Sequence, residues 1–243
     1  MKYYYDLHIH SALSPCGDED MTPNNIVNMS VLNGLDIIAL SDHNTCRNVR
    51  AVSEVARRAG ILFIPGMELE TAEEIHVLCL FPSVDAAELF EREIVSPALP
   101  DIPNNERIFG RQQVLDENDN EIGADGRYLI NATSITVDSV GVLAARYSAV
   151  AIPAHIDKQT KSLLSVLGMA DKSMGYNVFE LSPNAPDDFP ETQFSLKGMG
   201  YQYIYNSDAH YLADIAERGR KNFFEINSTH PSVEDVIGFL KDN

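Results

Sequence analysis

The sequence lacks tryptophan, and it has few cysteines, few basic residues and no long apolar run. Its cysteines, Cys16, Cys46 and Cys79, form no CxxC pair, which argues against a disulfide framework. No stretch approaches the roughly 18 apolar residues of a membrane helix, and the amino-terminal MKYYYDLHIH has no signal-peptide core. These absences predict a cytoplasmic protein without a membrane partner.

Basic residues number 18 against 36 acidic ones, so the formal net charge is −18. An acidic surface repels polyanions, and no stable complex with nucleic acid is therefore expected. The same acids suit a site that collects divalent cations, although a solubilising surface explains many of them. A hydrophobic content of 44% supports a sizeable core, and one domain spanning residues 1–243 is predicted.

Short apolar runs alternate with segments of helical pattern, which is typical of an α/β protein with parallel strands. Their regular spacing suggests a barrel. Helix ends are marked by Thr22, Pro23 and Gly34 for one helix, by Gly60 for a second, and by Pro231 for the last. The eight predicted strands cover residues 3–9, 35–40, 61–66, 75–81, 149–153, 177–182, 202–207 and 223–226.

Residues 99–131 interrupt this alternation. The segment is polar and rich in turn residues, and its DENDNEIGADG stretch is typical of a tight hairpin or a lid. We interpret it as an insertion on the scaffold. Long loops of this kind are often functional, and a merely decorative loop is the alternative.

Six of the seven histidines lie within or just after a predicted strand. The carboxyl ends of parallel barrel strands converge on one face, where such folds place their chemistry. In DLHIH, His8 and His10 point to the same side of a strand, and Asp6 lies on that side as well. The other four are His43, His76, His155 and His210, whereas His230 is interpreted as a surface or capping residue.

Acidic residues accompany these histidines. Asp42 precedes His43, Glu68 follows the third strand, and Asp208 lies two residues before His210. Taken singly, each group has an ordinary structural explanation. Histidines and acids gathered at one barrel mouth, however, would be costly to desolvate without cations. Imidazoles with carboxylates suit Zn, Mn or Fe, and bridging carboxylates favour two or three ions.

The series DLHIHS, SDHN, GMELE, HVLCLF, AIPAHID and NSDAHY resembles the PHP family, the polymerase and histidinol phosphatase superfamily of metal-dependent phosphoesterases. The motifs occur in the family's order and run from residue 6 to residue 211. The resemblance implies a distorted (β/α)7 TIM-like barrel with a metal site at the C-terminal ends of the strands.

The resemblance also implies a ligand set. His8 and His10 would bind a first ion with Glu68 and Asp208, and Glu68 would bridge to a second ion. That second ion would be held by His76 and His155, and a third by His43 and His210. Asp6 and Asp42 look like supporting residues.

The loop after His10 departs from the family pattern. Many relatives with three ions have a histidine six residues after the second histidine of HxH, and this chain has Cys16 there, followed by Asp18 and Asp20. A cysteine thiolate is a good ligand for zinc or iron, but a loop cysteine that never contacts metal is equally expected. Cys16 and Asp18 are therefore alternative candidates, and the number of ions stays open.

The expected reaction is hydrolysis of a phosphate ester by a hydroxide activated between two ions. Asp208, His210 or His43 would help to protonate the leaving group. Small phosphorylated metabolites, nucleotides or short oligonucleotide ends are the expected substrates. Cations that could contact the phosphate are Arg107, Arg111 and Arg127 in the insertion, Lys158, and Arg218.

Two other functions remain open from the sequence. A related metal hydrolase acting on a C–N or other non-phosphate bond would use the same barrel and ions. A non-catalytic metal-binding or regulatory domain is the third alternative, and the nearly complete ligand set argues against it. The sequence leaves the oligomeric state open.

Overall fold

The computed structural model describes residues 1–219 and 221–242 of the chain. The strands in this part are β1 (Lys2–Ile9), β2 (Ile37–Leu40), β3 (Leu62–Glu70), β4 (His76–Leu80), β5 (Gln113–Leu115), β6 (Glu121–Ala124), β7 (Val150–Pro153), β8 (Val178–Leu181), β9 (Gln202–Tyr205) and β10 (Phe223–Glu225). All eight predicted strands are therefore present, and β5 and β6 are additional.

The helices in the same residues are α1 (Pro23–Leu32), α2 (Val49–Ala59), α3 (Val84–Phe90), α4 (Ser96–Ala98), α5 (Glu106–Phe109), α6 (Val137–Ala145), α7 (Leu163–Leu167), α8 (Phe189–Thr192) and α9 (Val233–Asp242). A π-helical segment, Glu91–Val95, joins α3 to α4. Thr22 caps α1 by accepting a hydrogen bond from the Asn25 amide, and Gly60 ends α2 with a φ of 74°. None of these helices is long and apolar enough to span a bilayer, as judged over the described residues.

Six strands form one curled sheet in the order β10-β1-β2-β3-β4-β7. The strands β1, β2 and β3 are parallel, as predicted. The prediction is wrong for β4, which is antiparallel to β3 and β7, and for β10, which is antiparallel to β1. For β4 the reason is the short connection between β3 and β4, because a parallel pairing requires a crossover of about a dozen residues or more.

The parallel pair β8 and β9 connects β7, at one end of this sheet, with β1, the strand next to the other end. On one side, the Ile156 amide after β7 donates a hydrogen bond to the Glu180 carbonyl of β8 (2.9 Å). On the other side, Ala209 after β9 pairs with Ile9 of β1. One buried apolar cluster takes side chains from β1, β2, β3, β4, β7, β8 and β9, and α9 packs into the same cluster. A second cluster includes side chains from α1, α2 and α6.

The segment at residues 99–131 contains α5 and the β5–β6 hairpin, so the predicted hairpin is present. It is attached to the body of the protein by hydrogen bonds from the Gln113 amide to the Ala12 carbonyl and from the Leu115 amide to Asn48. Leu13, Leu99, Val114 and Leu129 form a small buried cluster beneath it. The hairpin is therefore held against the loop that follows His10.

Candidate metal centre

The strand ends bring most of the predicted site residues to one rim of the sheet. His8 and His10 lie at the end of β1, and His43 follows β2. His155 follows β7, and Asp208 follows β9. Both of these last residues have positive φ angles, 32° and 55°. Such left-handed backbone is uncommon for residues other than glycine and is concentrated at functional sites.

One of the expected positions differs from the structure. Glu68 does not follow β3 but lies inside it, because β3 continues to Glu70. His76 opens β4, in agreement with its place at the start of the predicted strand 75–81. It reaches the same rim because β4 runs antiparallel to β3, with His76 directly opposite Glu70.

The Glu68 carboxylate lies at the centre of the cluster, and its side chain is only 1% exposed. Five imidazoles surround it within 3.4 Å. Its Oε1 lies 2.9 Å from His76 Nδ1, 3.2 Å from His8 Nε2 and 3.3 Å from His155 Nε2. Its Oε2 lies 3.1 Å from His43 Nδ1 and 3.4 Å from His10 Nε2.

These close approaches do not satisfy the carboxylate. Within the described residues, neither oxygen of Glu68 accepts a hydrogen bond, and both ring nitrogens of His76 and Nδ1 of His43 also have no hydrogen-bond partner. Buried polar atoms without partners are energetically costly and call for an explanation such as a bound ion. Lone pairs directed towards one point, without hydrogen-bond geometry, are the arrangement that a shared cation satisfies. The residues therefore fit a divalent metal.

Asp208 belongs to the same cluster. Its Oδ1 lies 3.2 Å from His10 Nε2 and 3.3 Å from His8 Nε2. Lys158 Nζ contacts the other oxygen. Three sets of side chains in the described part of the chain have ligand atoms within 4.8 Å of one another: His8, His10, Glu68 and Asp208; His43, Glu68 and His76; and Cys16, His10, His43 and His210.

The pKa values of the clustered side chains are shifted by burial and by the charges of their neighbours. Burial alone lowers the pKa of His8, but the carboxylates of Glu180 and Glu68 raise it well above its usual value. Burial raises the pKa of Glu68, yet the surrounding imidazoles, led by His76, hold it well below its usual range. Burial also lowers the pKa of His43 well below its usual value, and that of His210 to about 4. The last two rings are therefore neutral at pH 7, the form that binds metals.

Glu180 of β8 is a supporting residue that the sequence analysis missed. Its carboxylate accepts hydrogen bonds from His8 Nδ1 (2.9 and 3.0 Å), from Asn206 Nδ2 (2.7 Å) and from the His155 amide (2.9 Å). The Nδ1 bond fixes the His8 ring and leaves Nε2 facing Glu68 and Asp208. A carboxylate in this position is typical of histidine ligands.

The carboxylates of Asp6 and Asp42 accept hydrogen bonds from loop residues around the cluster. Asp6 accepts from the amides of Ser207 and Ala216 and from the Ser207 hydroxyl. Asp42 accepts from the Ser11 amide and from the hydroxyls of Ser11 and Ser14. The Ser14 hydroxyl also lies 3.0 Å from His10 Nδ1. Both carboxylates therefore support the loops around the cluster rather than face its centre.

A pocket of about 120 Å³ opens directly onto this cluster. Two lysines line it, Lys158 and Lys161, and the second was not predicted. Lys161 Nζ contacts Glu70 Oε1 (2.5 Å) and Glu74 Oε2 (2.6 Å). The pocket is large enough for a phosphate group and small compared with most ligand pockets, which occupy about 300 Å³ or more.

The structure does not bring five other predicted residues to this pocket. Arg111 pairs with Glu121 on the β5–β6 hairpin, and Arg127 bonds to Asp125 and Ser96. The Arg218 guanidinium lies 4.0 Å above the Tyr4 ring, towards the start of β1 and away from His8 at its other end. Asp18 belongs to none of the three ligand sets found in residues 1–219 and 221–242, and its carboxylate accepts from the Asp20 amide. Arg107 is exposed and likewise does not line the pocket.

Residues 6–207 match the PHP domain family, and the chain therefore belongs to that family. The sequence-based assignment to this family is confirmed.

The relatives are similar over parts of their length. A 79-residue stretch is 34% identical to a 5′-3′ exoribonuclease of Haemophilus influenzae, and it covers 31% of this chain and 28% of that protein. The fold resembles the lesion-specific endonuclease PfuEndoQ of Pyrococcus furiosus, with a TM-score of 0.69 and 20% identity over 99% of this chain and 56% of that one. It also resembles a protein of Bifidobacterium adolescentis described as a metal-dependent phosphoesterase, with a TM-score of 0.60 and 17% identity over 97% of this chain and 95% of that one. The two structural likenesses show the fold alone.

Proposed function

We propose that the cluster around Glu68 binds two divalent ions and that the protein hydrolyses phosphate esters. The observation that carries this proposal is the Glu68 carboxylate, buried among five imidazoles with no hydrogen bond to either oxygen in the described structure. One ion would be held by His8, His10, Glu68 and Asp208, and the other by Glu68, His76 and His155. The mixed imidazole and carboxylate ligands suit Zn, Mn or Fe.

We also propose that the seven strands β1, β2, β3, β4, β7, β8 and β9 form a distorted (β/α)7 barrel with this metal site at its rim. The shared apolar cluster of these strands supports it, together with the hydrogen bonds that join β8 to the residues after β7 and the residues after β9 to β1. In this arrangement β4 is the reversed strand. All proposed ligands then project from one end of the barrel, as TIM-barrel chemistry requires.

Bound ions of this kind lower the pKa of water and neutralise developing charge on phosphoryl oxygens. The chain's own residues would supply orientation and proton transfer. Glu180 holds the His8 ring, and Ser14 contacts His10 at Nδ1. Asp208 is the first candidate for transferring a proton to the leaving group because one of its oxygens faces Lys158 in the pocket. His43 and His210 are the other candidates.

The substrate would present a single phosphate to the pocket. Lys158 and Lys161 line the opening and would contact phosphate oxygens as charged donors. An ordinary surface role is more consistent with Arg111 and Arg127, which do not line the pocket and pair with carboxylates of the 99–131 segment. A mononucleotide or the end of a short 5′-phosphorylated oligonucleotide fits a small pocket in a protein with a net charge of −18 better than an extended duplex does. The name of one relative, a 5′-3′ exoribonuclease, agrees with this substrate class.

We also propose a cytoplasmic location for the protein. All three cysteines are free thiols in the structure, which supports a reducing compartment and hence a cytoplasmic enzyme.

The proposal is tested with protein loaded with Mn²⁺ or Zn²⁺ and a panel of phosphomonoesters, nucleoside bisphosphates and short 5′-phosphorylated oligonucleotides. Released phosphate and nucleotide are measured for the natural protein, for Glu68→Ala, and for a control, Glu225→Ala, at an exposed position on β10. We expect Glu68→Ala to lose both bound metal and turnover while its circular dichroism spectrum stays unchanged. Turnover of amides or lactones instead of phosphate esters, or full metal content in Glu68→Ala, would overturn the proposal.

A further inference from the structure

The pocket that opens onto the metal cluster can hold only part of a nucleotide. Its volume of about 120 Å³ suits a phosphate group. Pockets that enclose a whole small ligand occupy about 300–1,000 Å³. In a nucleoside 5′-phosphate the ribose separates the base from the phosphate, so a base belonging to the substrate must bind outside this pocket, at its mouth.

Tyr128 lies on a segment of the insertion that is attached to the loop carrying His43. Asn44, the residue after His43, donates hydrogen bonds from Nδ2 to the carbonyls of Leu129 (2.7 Å) and Asn131 (3.0 Å). Leu129 is fully buried, so the chain is fixed directly after Tyr128. The backbone therefore holds Tyr128 close to the metal cluster.

The charged neighbours of Tyr128 indicate where its ring lies. Burial is the first cause that raises the pKa of its hydroxyl, the Glu70 carboxylate raises it further, and Lys161 opposes the rise. Cys16 is a further neighbour. Lys161 follows β7 and lines the pocket, whereas Cys16 follows β1 and shares a ligand set with histidines of the cluster. The Tyr128 ring is therefore near the pocket mouth, in the neighbourhood of both loops.

Phe109 supports the Tyr128 ring. The two ring centroids lie 4.4 Å apart, with the planes at 35° to each other. Both side chains are partly exposed, and neither belongs to the three buried apolar clusters of the described residues. Every nucleobase has a π face, and stacking on an aromatic side chain is a general way of binding it. The pair is therefore suited to hold a base while the phosphate occupies the neighbouring pocket.

We propose that Tyr128, supported by Phe109, stacks on the base of a nucleotide whose phosphate occupies the pocket at the metal cluster. The inference rests on the proposed function and names its substrate class, which is nucleoside phosphates and oligonucleotide ends rather than sugar phosphates. Stacking tolerates any base, so this surface should not select a base sequence. It also needs no positive charge, which suits a chain with a net charge of −18.

The test uses the metal-loaded full chain and the methylenephosphonate analogue of 2-aminopurine riboside 5′-monophosphate, which has no ester bond to hydrolyse. The fluorescence of 2-aminopurine falls when the base stacks on an aromatic ring, so one titration reports both affinity and stacking. The variants are Tyr128→Leu, which keeps an apolar contact for Phe109, the conservative Tyr128→Phe, and the matched control Phe194→Leu. Phe194 is 79% exposed and does not line the pocket.

We expect Tyr128→Leu to bind the analogue about tenfold more weakly, or worse, and to lose the quenching. Tyr128→Phe and Phe194→Leu should retain both. In steady-state kinetics, kcat/KM of the natural protein for a nucleoside 5′-monophosphate should exceed that for ribose 5-phosphate, which lacks the base, by about tenfold. Tyr128→Leu should bring this ratio close to one.

Unchanged affinity and quenching in Tyr128→Leu would overturn the inference. Equal falls in kcat/KM for the two substrates would also overturn it, because a merely structural role for Tyr128 would affect both alike. Failure of the proposed function is distinguishable from these outcomes. If the protein hydrolysed no phosphate ester, the proposed function would be refuted, whereas quenching that depends on Tyr128 would still establish the base-binding surface.

Discussion

Replacement of Glu180 with glutamine should weaken metal binding without removing any proposed ligand. The Glu180 side chain is 1% exposed, and both its oxygens accept hydrogen bonds. One oxygen also accepts from Asn206 Nδ2 and the other from the His155 amide. Glutamine has the same shape but only one acceptor oxygen, so its NH₂ group must face a donor on one of these two sides.

The size of the effect follows from these contacts. A buried donor left without an acceptor costs about 1–3 kcal/mol, which should appear as a loss of stability in the metal-free protein. The supporting partners of histidine ligands typically contribute about 10- to 100-fold to metal affinity. At about 1.4 kcal/mol for each factor of ten, this corresponds to roughly 1.4–2.8 kcal/mol of binding free energy. We expect the loss for the ions that contact His8 and His155, which are the residues that Glu180 holds.

Metal affinity is measured by competition with a chromophoric chelator, and stability by urea unfolding in the presence of a strong chelator. The matched control is Glu225→Gln on β10, where the exposed carboxylate lies 3.7 Å from Lys2. If Glu180→Gln bound metal as tightly as this control, the carboxylate would not position a ligand, and the reasoning about His8 would be refuted.

Two further predictions concern the cations. Lys158→Ala should raise KM for a phosphorylated substrate by about tenfold or more, because a charged hydrogen bond contributes about 1.5–3 kcal/mol. The control Arg111→Ala, on the hairpin, should leave KM unchanged. Equal effects of the two variants on KM in steady-state kinetics would contradict the placement of the phosphate. Arg218→Ala should lower the free energy of unfolding by about 0.5–1 kcal/mol, because the contact with the Tyr4 ring is lost. The same variant should leave kcat/KM unchanged. A fall in kcat/KM would instead place Arg218 in the site.

The strands were predictable because their apolar runs are bounded by turn residues, but the direction of β4 was not inferred. The decisive signal was present in the sequence. Only five residues, 71–75, separate β3 from β4, and no crossover helix fits between them. The prediction ended the strand at residue 66 and so overlooked the short connection. The same misplaced boundary put Glu68 after the strand rather than inside it.

The contact partners of individual side chains could not be predicted from the sequence. Glu180 left a weak signal, a single carboxylate in the otherwise apolar VFEL of β8, and a buried acid in such a strand requires donors around it. No sequence signal indicated the contacts of Lys161 and Arg218, because the sequence around a surface cation does not reveal which carboxylate or ring it will contact. Arg218 packs on Tyr4, which lies more than 200 positions away in the chain.

The buried acids around the rim separate into two kinds, and this difference defines the centre. Asp6, Asp42 and Glu180 receive hydrogen bonds from backbone amides and from hydroxyl or side-chain N–H groups. Glu68 faces imidazoles alone, and Asp208 faces imidazoles with one oxygen and Lys158 with the other. The pKa values of both carboxyl groups lie well below the usual range although burial alone would raise them. A carboxylate that already accepts several hydrogen bonds gains little free energy from a bound cation. A carboxylate surrounded by imidazoles gains much more. The sequence places four of these acids, all except Glu180, near histidines, and only the three-dimensional supply of donors shows which of them are left to bind an ion.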